Sequence, residues 1–131
     1  MSSGSQVSST PKVMFWAGWI ISILPVFGLI MSSVMKFTQP KDLVDGFEKF
    51  GFPLSVAVPL GVVELVCTAL YAIPQTAVLG AILLTGYLGG ATATHVRISD
   101  AFAPPIIMGV MLWLGLYLRD ARLRALLPFR R

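Results

Sequence analysis

The sequence predicts an all-α integral membrane protein: a four-helix bundle with a short interfacial helix between spans one and two. Two observations carry this prediction. The 131 residues are 56% hydrophobic and only 12% charged, with a mean hydropathy of +0.80, whereas soluble domains carry about 25% charged residues. The apolar residues are also gathered into four long runs, each near the length of about 20 residues with which a helix crosses a bilayer.

The N-terminal part of the chain predicts a tail followed by the first span. Residues 1–11 are polar and rich in Ser, which is typical of a disordered tail. The uncharged run that follows predicts a span at about 13–35. Because this run is too long for the apolar part of a signal peptide, we interpret it as a retained transmembrane helix. Trp16 and Trp19 near its start are typical of side chains at a membrane interface.

Residues 40–52 differ in kind from the spans on either side. Leu43, Phe47 and Phe50 recur at helical spacing, and charged residues occupy the remaining positions. Gly51 suits the end of a helix. The segment therefore predicts a short amphipathic helix that lies in the membrane interface. The alternative is a solvated loop.

Three further spans are expected at about 53–73, 76–96 and 101–118. In the third of them, Gly86 and Gly90 are four residues apart, a spacing that lets helix backbones approach each other closely. This spacing implies that the third span, which also carries Gly80 and Gly89, is a packed helix. The fourth span is short and is expected to continue as a cytoplasmic amphipathic helix.

The basic residues indicate how this membrane domain, residues 12–128, and the basic tail at 129–131 are oriented. Of the ten Lys and Arg residues, six fall in the N-terminal tail, second loop and C-terminal tail, and four in the other two loops. Five of those six lie in the last thirteen positions. Since basic residues favour the cytoplasmic side, we expect an inner-membrane protein with both termini in the cytoplasm. The cluster suits an anionic leaflet, so the net charge of +4 does not indicate nucleic-acid binding.

Glu64 is the most informative single residue. It stands alone in the second span, roughly 16 Å from the start of that span at about 1.5 Å per residue. An ionised carboxylate facing lipid at such a depth costs several kcal/mol. We therefore expect Glu64 to face protein or water and to be paired or protonated. Tyr87 lies at a similar depth in the third span and is expected to be its direct hydrogen-bond partner.

Other polar residues extend this site toward the outer end of the spans. A basic rim is expected from Lys36, His95 and Arg97. Beneath the rim, a descending polar cavity is expected to be lined by Ser32, Glu64, Tyr87 and Thr92. Positive charge above a buried carboxyl suits a small anion or a quinone head group. The alternative is structural, because buried polar groups also hold membrane bundles together.

Several chemistries are excluded by the residues that the chain lacks. A single cysteine, Cys67, excludes an intrachain disulfide and dithiol exchange, and a single histidine excludes bis-histidine haem ligation. The sequence has no His/Cys metal cluster, no Gly-rich phosphate loop with Lys and no Ser/His/Asp grouping. We therefore expect no metal and no catalysis by this chain alone. Quinone is the one cofactor that stays open.

Five segments carry a resemblance to a known family. They are SVMKF at 33–37, GFEKFGFP at 46–53, GVVELVC at 61–67, LGAILLTGYLGGATATHVR at 79–97 and LRDARLRALLP at 118–128. Together they make the sequence, over about Val13 to Pro128, similar to the DoxX-like family of small four-helix bacterial membrane proteins. The segment ending in His95 and Arg97, with Glu64 upstream, is the most specific of the five.

The resemblance implies a link to membrane redox chemistry. The family takes its name from the membrane part of a thiosulfate:quinone oxidoreductase, and some relatives are linked to membrane oxidoreductase complexes and to resistance to oxidative stress. Lys36, Glu64, His95 and Arg97 match the characteristic polar residues of the family. The resemblance thus implies an accessory or anchoring subunit of a quinone-linked redox or oxidative-stress system.

Two alternatives remain open beside that function. One is a small-molecule or ion permease that uses Glu64 as a proton-linked carboxyl. The other is a structural membrane protein without a ligand. For the redox role, the expected partners are the lipid bilayer and either a redox subunit or a second copy of the chain. No nucleic acid is expected as a partner for any of the three functions.

Overall fold

A computed structural model describes residues 10–126, which form six α-helices and, within that range, no β-strand. The helices are α1 (Lys12–Thr38), α2 (Lys41–Phe50), α3 (Ala57–Ala72), α4 (Ala77–Arg97), α5 (Ala103–Arg119) and α6 (Ala121–Leu126). Short 3₁₀ turns at Leu54–Val56 and Pro74–Thr76 lead into α3 and α4. The all-α prediction is confirmed. Residues 1–9 of the predicted N-terminal tail lie outside the described residues. The basic tail predicted at 129–131 lies outside them as well.

The four long helices α1, α3, α4 and α5 pack as a closed bundle. α1 contacts α3 and α5, and α4 contacts the same two helices, so that α1 and α4 are diagonal to each other. Successive bundle helices run in opposite directions, as the pairing of Ser22 with Tyr71 at one end and of Lys36 with Glu64 near the other shows for α1 and α3. We call the end covered by α2 the α2 end, and the end where α6 begins the α6 end.

The bundle is apolar on its outside, which is the arrangement expected in lipid. Phe27, Val66, Ile82 and Ile107 are exposed, whereas several polar side chains are buried. Within the described chain, three stretches are long and apolar enough to cross a membrane: Lys12–Thr38, Leu54–Ala72 and Pro74–Arg97. α5 has 17 residues, about 25 Å at 1.5 Å per residue, and completes the bundle between α1 and α4. The chain is therefore an integral membrane helical bundle.

The helix predicted between spans one and two is present as α2. Its apolar face is buried, with Leu43 and Phe47 packed against Met35, Ala57 and Leu60 at the end of the bundle. The chain leaves α2 through Gly51, whose φ of 81° is a left-handed conformation that favours glycine. The segment is thus an amphipathic helix and not a solvated loop.

Close helix contacts occur at glycines other than the predicted pair. A Cβ atom on Gly18 of α1 would lie 2.6 Å from the backbone oxygen of Gly115 on α5, so these two helices touch through their backbones. Gly80 of α4 packs in the same way on the backbone of Tyr71. Around Gly86 and Gly90, a Cβ atom would meet nothing within 4 Å. The third span is thus a packed helix, as predicted, but its close contact is at Gly80 and not at Gly86 and Gly90.

Candidate functional site

An ion pair buried between α1 and α3 is the centre of the candidate site. The Lys36 ammonium lies 3.0 Å from Oε1 of Glu64, and the two side chains are 11% and 2% exposed. Ser32, one helical turn before Lys36, accepts a hydrogen bond from Lys36 Nζ at 2.7 Å and donates one to Glu64 Oε1 at 3.2 Å. The prediction that Glu64 faces protein and is paired is confirmed.

Local sequence explains why the two charges meet. Gly61, one turn before Glu64 on α3, lets α1 come close, because a Cβ atom there would lie 2.9 Å from the Phe37 ring and 3.1 Å from Lys36 Cβ. Lys36 is two residues from the end of α1, yet its long side chain turns into the bundle and not outward. An ion pair is strong in such a low-dielectric place, but only while both partners are present.

Beside the ion pair lies a cavity of about 370 Å³, which we call the α2-end cavity. Its polar wall includes Lys36, Tyr87 and His95, and its apolar wall includes the rings of Phe47, Phe50 and Phe52. Two exposed glycines of α4, Gly86 and Gly90, line it as well. The cavity therefore opens sideways on the surface of α4, where a membrane protein meets lipid.

His95 is held in a defined orientation at the mouth of this cavity. Its Nδ1 lies 2.7 Å from the backbone oxygen of Ala91, and its ring lies 4.7 Å from the ring of Phe50 between centroids. A backbone oxygen can only accept, so Nδ1 carries the hydrogen and Nε2 is the acceptor in the neutral ring. His95 can therefore offer an acceptor, or a second donor when it is protonated.

A protein-family model described as the DoxX-like family matches residues 20–116 of the chain. The chain belongs to the DoxX-like family. The match reaches from α1 to α5 and so includes the ion pair and the α2-end cavity. Neither a search of curated proteins nor a search of solved structures gave a match.

The structure places two predicted cavity residues of this DoxX-like protein, Tyr87 and Thr92, in different hollows. The Tyr87 hydroxyl lies within hydrogen-bonding reach of the Glu64 carboxylate, as predicted, and Oε1 of that carboxylate is also bonded to Lys36 and Ser32. Thr92 faces a different hollow, a groove of about 760 Å³ between α4 and α5 that we call the α4–α5 groove. It donates to the Leu88 backbone oxygen.

The predicted basic rim is also not formed as one group. Lys36 is buried in the ion pair, whereas Arg97 is exposed and donates to the backbone oxygen of Phe50, which fastens the end of α4 to the end of α2. Lys36 and His95 line the α2-end cavity together, and Arg97 does not line it. The three cations thus have separate roles in the structure.

A second buried polar group lies at the α6 end of this DoxX-like protein, and sequence reasoning missed it. We call it the Arg119 cluster: Trp19 and Ser22 of α1, Tyr71 of α3 and Arg119 of α5. Ser22 Oγ lies 3.0 Å from the Tyr71 hydroxyl, which donates to the Leu112 backbone oxygen. Arg119 Nε donates to Ser22 Oγ at 3.3 Å. The sequence feature that points to this cluster is the position of Tyr71 on the same buried face of α3 as Glu64.

Proposed function

We propose that this protein is an accessory or anchoring subunit of a quinone-linked redox system, and that the α2-end cavity binds the quinone head group. One observation carries the proposal. The buried Lys36–Glu64 ion pair stands beside an aromatic cavity that opens sideways on the bundle. A ligand that is flat, apolar and equipped with a few acceptors suits such a cavity, and it can arrive from within the membrane.

The polar groups of the cavity match the carbonyl oxygens of a quinone. An ammonium has three donors, and Lys36 uses one toward Ser32 and one toward Glu64. The third donor, the Tyr87 hydroxyl and His95 are the candidates to bind the two carbonyl oxygens. The Phe50 and Phe52 rings supply flat apolar walls for the head group.

The size and opening of the cavity also suit this ligand. A volume of about 370 Å³ lies in the range of ordinary small-molecule sites, about 300–1,000 Å³. The missing side chains of Gly86 and Gly90 leave a lateral exit, through which an isoprenoid tail extends into lipid. In this proposal the chain binds and orients the quinone, and a partner subunit delivers the electrons.

Quinone binding is tested with a matched pair of glycine variants. The protein is purified in mild detergent, and binding of a short-chain quinone is titrated. Gly90→Leu fills the α2-end cavity, and we expect it to weaken binding about tenfold or more, as a filled subsite does. Gly89→Leu adds the same group one residue away, in the α4–α5 groove, and should leave binding unchanged. Saturable binding that survives in folded Gly90→Leu would contradict the proposal.

The permease alternative is less well supported by the core. Leu29, Leu84 and Leu112 are each at most 1% exposed and fill the bundle between the ion pair and the Arg119 cluster. On α3 the buried polar side chain in this layer is Thr68, whose hydroxyl donates to the Glu64 backbone oxygen, so the described core offers few of the polar groups or waters that a permeation path needs. Proton-coupled flux into liposomes that contain this chain alone would favour a permease over the redox role.

We further propose that the protein lies in the inner membrane with the α6 end in the cytoplasm. The two ends of the described chain meet there, because Arg124 Nη2 donates to Thr10 Oγ1 at 3.0 Å. The arginine-rich C-terminus favours the cytoplasmic side for both. Reporter fusions after residue 131 should give a cytoplasmic signal, and insertions in the segment 39–52 an external one. The reverse pattern would place the α2-end cavity in the cytoplasmic half.

A further inference from the structure

Arg119 is buried without a counter-charge. It is 8% exposed, and among residues 10–126 it forms no salt bridge. Its guanidinium carbon lies 4.0 Å from the centroid of the Trp19 ring system and 4.9 Å from that of Tyr71. Its Nη2 is buried and has no hydrogen-bond partner in the described part of the chain. A buried cation with an unused donor is a costly arrangement that a bound anion relieves.

Arg119 is among the residues that line a cavity of about 330 Å³, which we call the α6-end cavity. Its apolar wall includes Phe15, Trp19 and Leu116, and a second arginine, the exposed Arg122, stands at its edge. The cavity is bounded by the start of α1, the α3–α4 turn and the end of α5, so it lies at one boundary of the membrane-spanning bundle.

One carboxylate, that of Asp120, also lines the α6-end cavity. Oδ1 of Asp120 accepts hydrogen bonds from the backbone amides of Arg122 at 2.9 Å and Leu123 at 3.3 Å. It also lies 3.8 Å from Arg122 Nε. Asp120 is thus bound to the first turn of α6 and does not pair with Arg119. With two arginines and one carboxylate, the cavity is net positive.

We propose that the α6-end cavity binds a phosphate-bearing anion, with the head group of an anionic phospholipid as its source. Arginine is suited to phosphate because its planar group offers several donors in a fixed arrangement. In this proposal the guanidinium turns on binding so that its unpartnered Nη2 faces the anion. The apolar wall of Phe15 and Leu116 fits the glycerol and first acyl carbons of a lipid. Free inorganic phosphate shares the charge but leaves that wall uncovered.

Lipid binding to the full-length protein tests the proposal. The protein is delipidated in detergent and titrated with phosphatidylglycerol, phosphatidylcholine or inorganic phosphate, and bound species are counted by native mass spectrometry. Arg119→Gln should weaken phosphatidylglycerol binding about tenfold, the effect of losing a charge-assisted contact. The control Lys41→Gln removes an exposed cation at the α2 end, far from this cavity, and should change binding by about twofold or less. Wild-type protein should prefer phosphatidylglycerol to phosphatidylcholine.

A second variant tests the same cavity if Arg119→Gln does not fold. Ala121→Phe fills the α6-end cavity and leaves Arg119 in place, so it should also lose phosphatidylglycerol. Competition by inorganic phosphate at millimolar concentration would support the phosphate site but assign it to the free ion. Equal binding of phosphatidylglycerol by wild type and Ala121→Phe, or no preference for the anionic lipid, would overturn the proposal.

Discussion

The two ends of the bundle both bury a basic side chain, but they stabilise it by different means. At the α2 end, Lys36 is neutralised inside the protein by Glu64 and bridged by Ser32. At the α6 end, Arg119 has two aromatic rings and one hydroxyl around it and no carboxylate partner among the described residues. The first arrangement is complete in itself, and the second is not.

The different treatment of the two buried cations indicates which kind of ligand each end of the bundle can bind. A closed ion pair favours a neutral ligand with acceptors, because an added charge would compete with Glu64 or Lys36. An unbalanced cation favours an anion. The two ends also differ in packing, since the α1–α5 backbones touch at Gly18 and Gly115 near the α6 end, whereas Gly86 and Gly90 leave open space near the α2 end.

The largest expected effect comes from breaking the ion pair. Glu64→Leu leaves Lys36 buried without its counter-charge and should lower the free energy of unfolding by about 3–5 kcal/mol. The double variant Lys36→Met with Glu64→Leu removes both charges and should recover most of that loss. Thermal unfolding in detergent, followed by circular dichroism, measures both, with Glu48→Gln on the exposed face of α2 as the control. A double variant as unstable as Glu64→Leu would show that the loss is not electrostatic.

The next effect tests the difference in packing. Gly18→Ala places a Cβ atom 2.6 Å from a backbone oxygen of α5, and such overpacking should cost about 1–3 kcal/mol. Gly86→Ala meets nothing and should leave stability unchanged or raise it by up to about 1 kcal/mol, because alanine favours the helix. Equal effects of the two substitutions in the same unfolding assay would contradict the packing difference.

A smaller effect is expected from Arg119→Met in lipid-free detergent. The substitution removes a charge that has no counter-charge, so the lost contacts with Trp19 and Ser22 are offset, and stability should stay within about 1 kcal/mol of wild type. The comparison with Glu64→Leu is direct because both remove a buried charge. If Arg119→Met were as damaging as Glu64→Leu, Arg119 would have a counter-charge in the protein and the two ends would be alike.

The smallest effect concerns the loop between α4 and α5. The pKa of Asp100 is lowered by the backbone amide of Ala101 and by the nearby charge of Lys49, 3.5 Å away. A carboxyl with a lowered pKa stabilises the fold above its unfolded pKa and loses that contribution as the pH falls through its folded pKa. The protection of α2 amides against hydrogen exchange, taken relative to their intrinsic exchange rates at each pH, should therefore fall slightly below about pH 4, and Asp100→Asn should remove that change. An unaltered pH profile in Asp100→Asn would assign it to another group.

Much of the fold could be predicted because hydropathy and helical spacing are local properties. The apolar runs mark α1, α3 and α4, and the spacing of Leu43 and Phe47 marks α2. The pairing of Glu64 was likewise predictable, since an isolated buried carboxylate needs a partner. The depth estimate failed to identify that partner because it located backbone positions, and the long Lys36 side chain reaches inward from a shallower level.

The remaining features depend on the rotation and neighbours of each helix, which spacing alone does not determine. Thr92 lies close to Tyr87 in sequence but faces α5, so it lines the α4–α5 groove. Gly86 and Gly90 share a stripe, but no helix covers it. Arg119 stands where an apolar span meets an arginine-rich segment, a pattern typical of an exposed anchor, and only the packing of α1 on α5 shows that it is buried.

The contact between Gly18 and Gly115 has a consequence for biogenesis. α1 is synthesised before α3, α4 and α5, yet it forms a backbone-to-backbone interface with α5. While α5 is still on the ribosome, Ser22 of the inserted α1 lacks its Arg119 partner and faces lipid or the insertion machinery. We therefore expect the bundle to close only after α5 has left the ribosome, so nascent chains that stop before residue 115 should be prone to proteolysis.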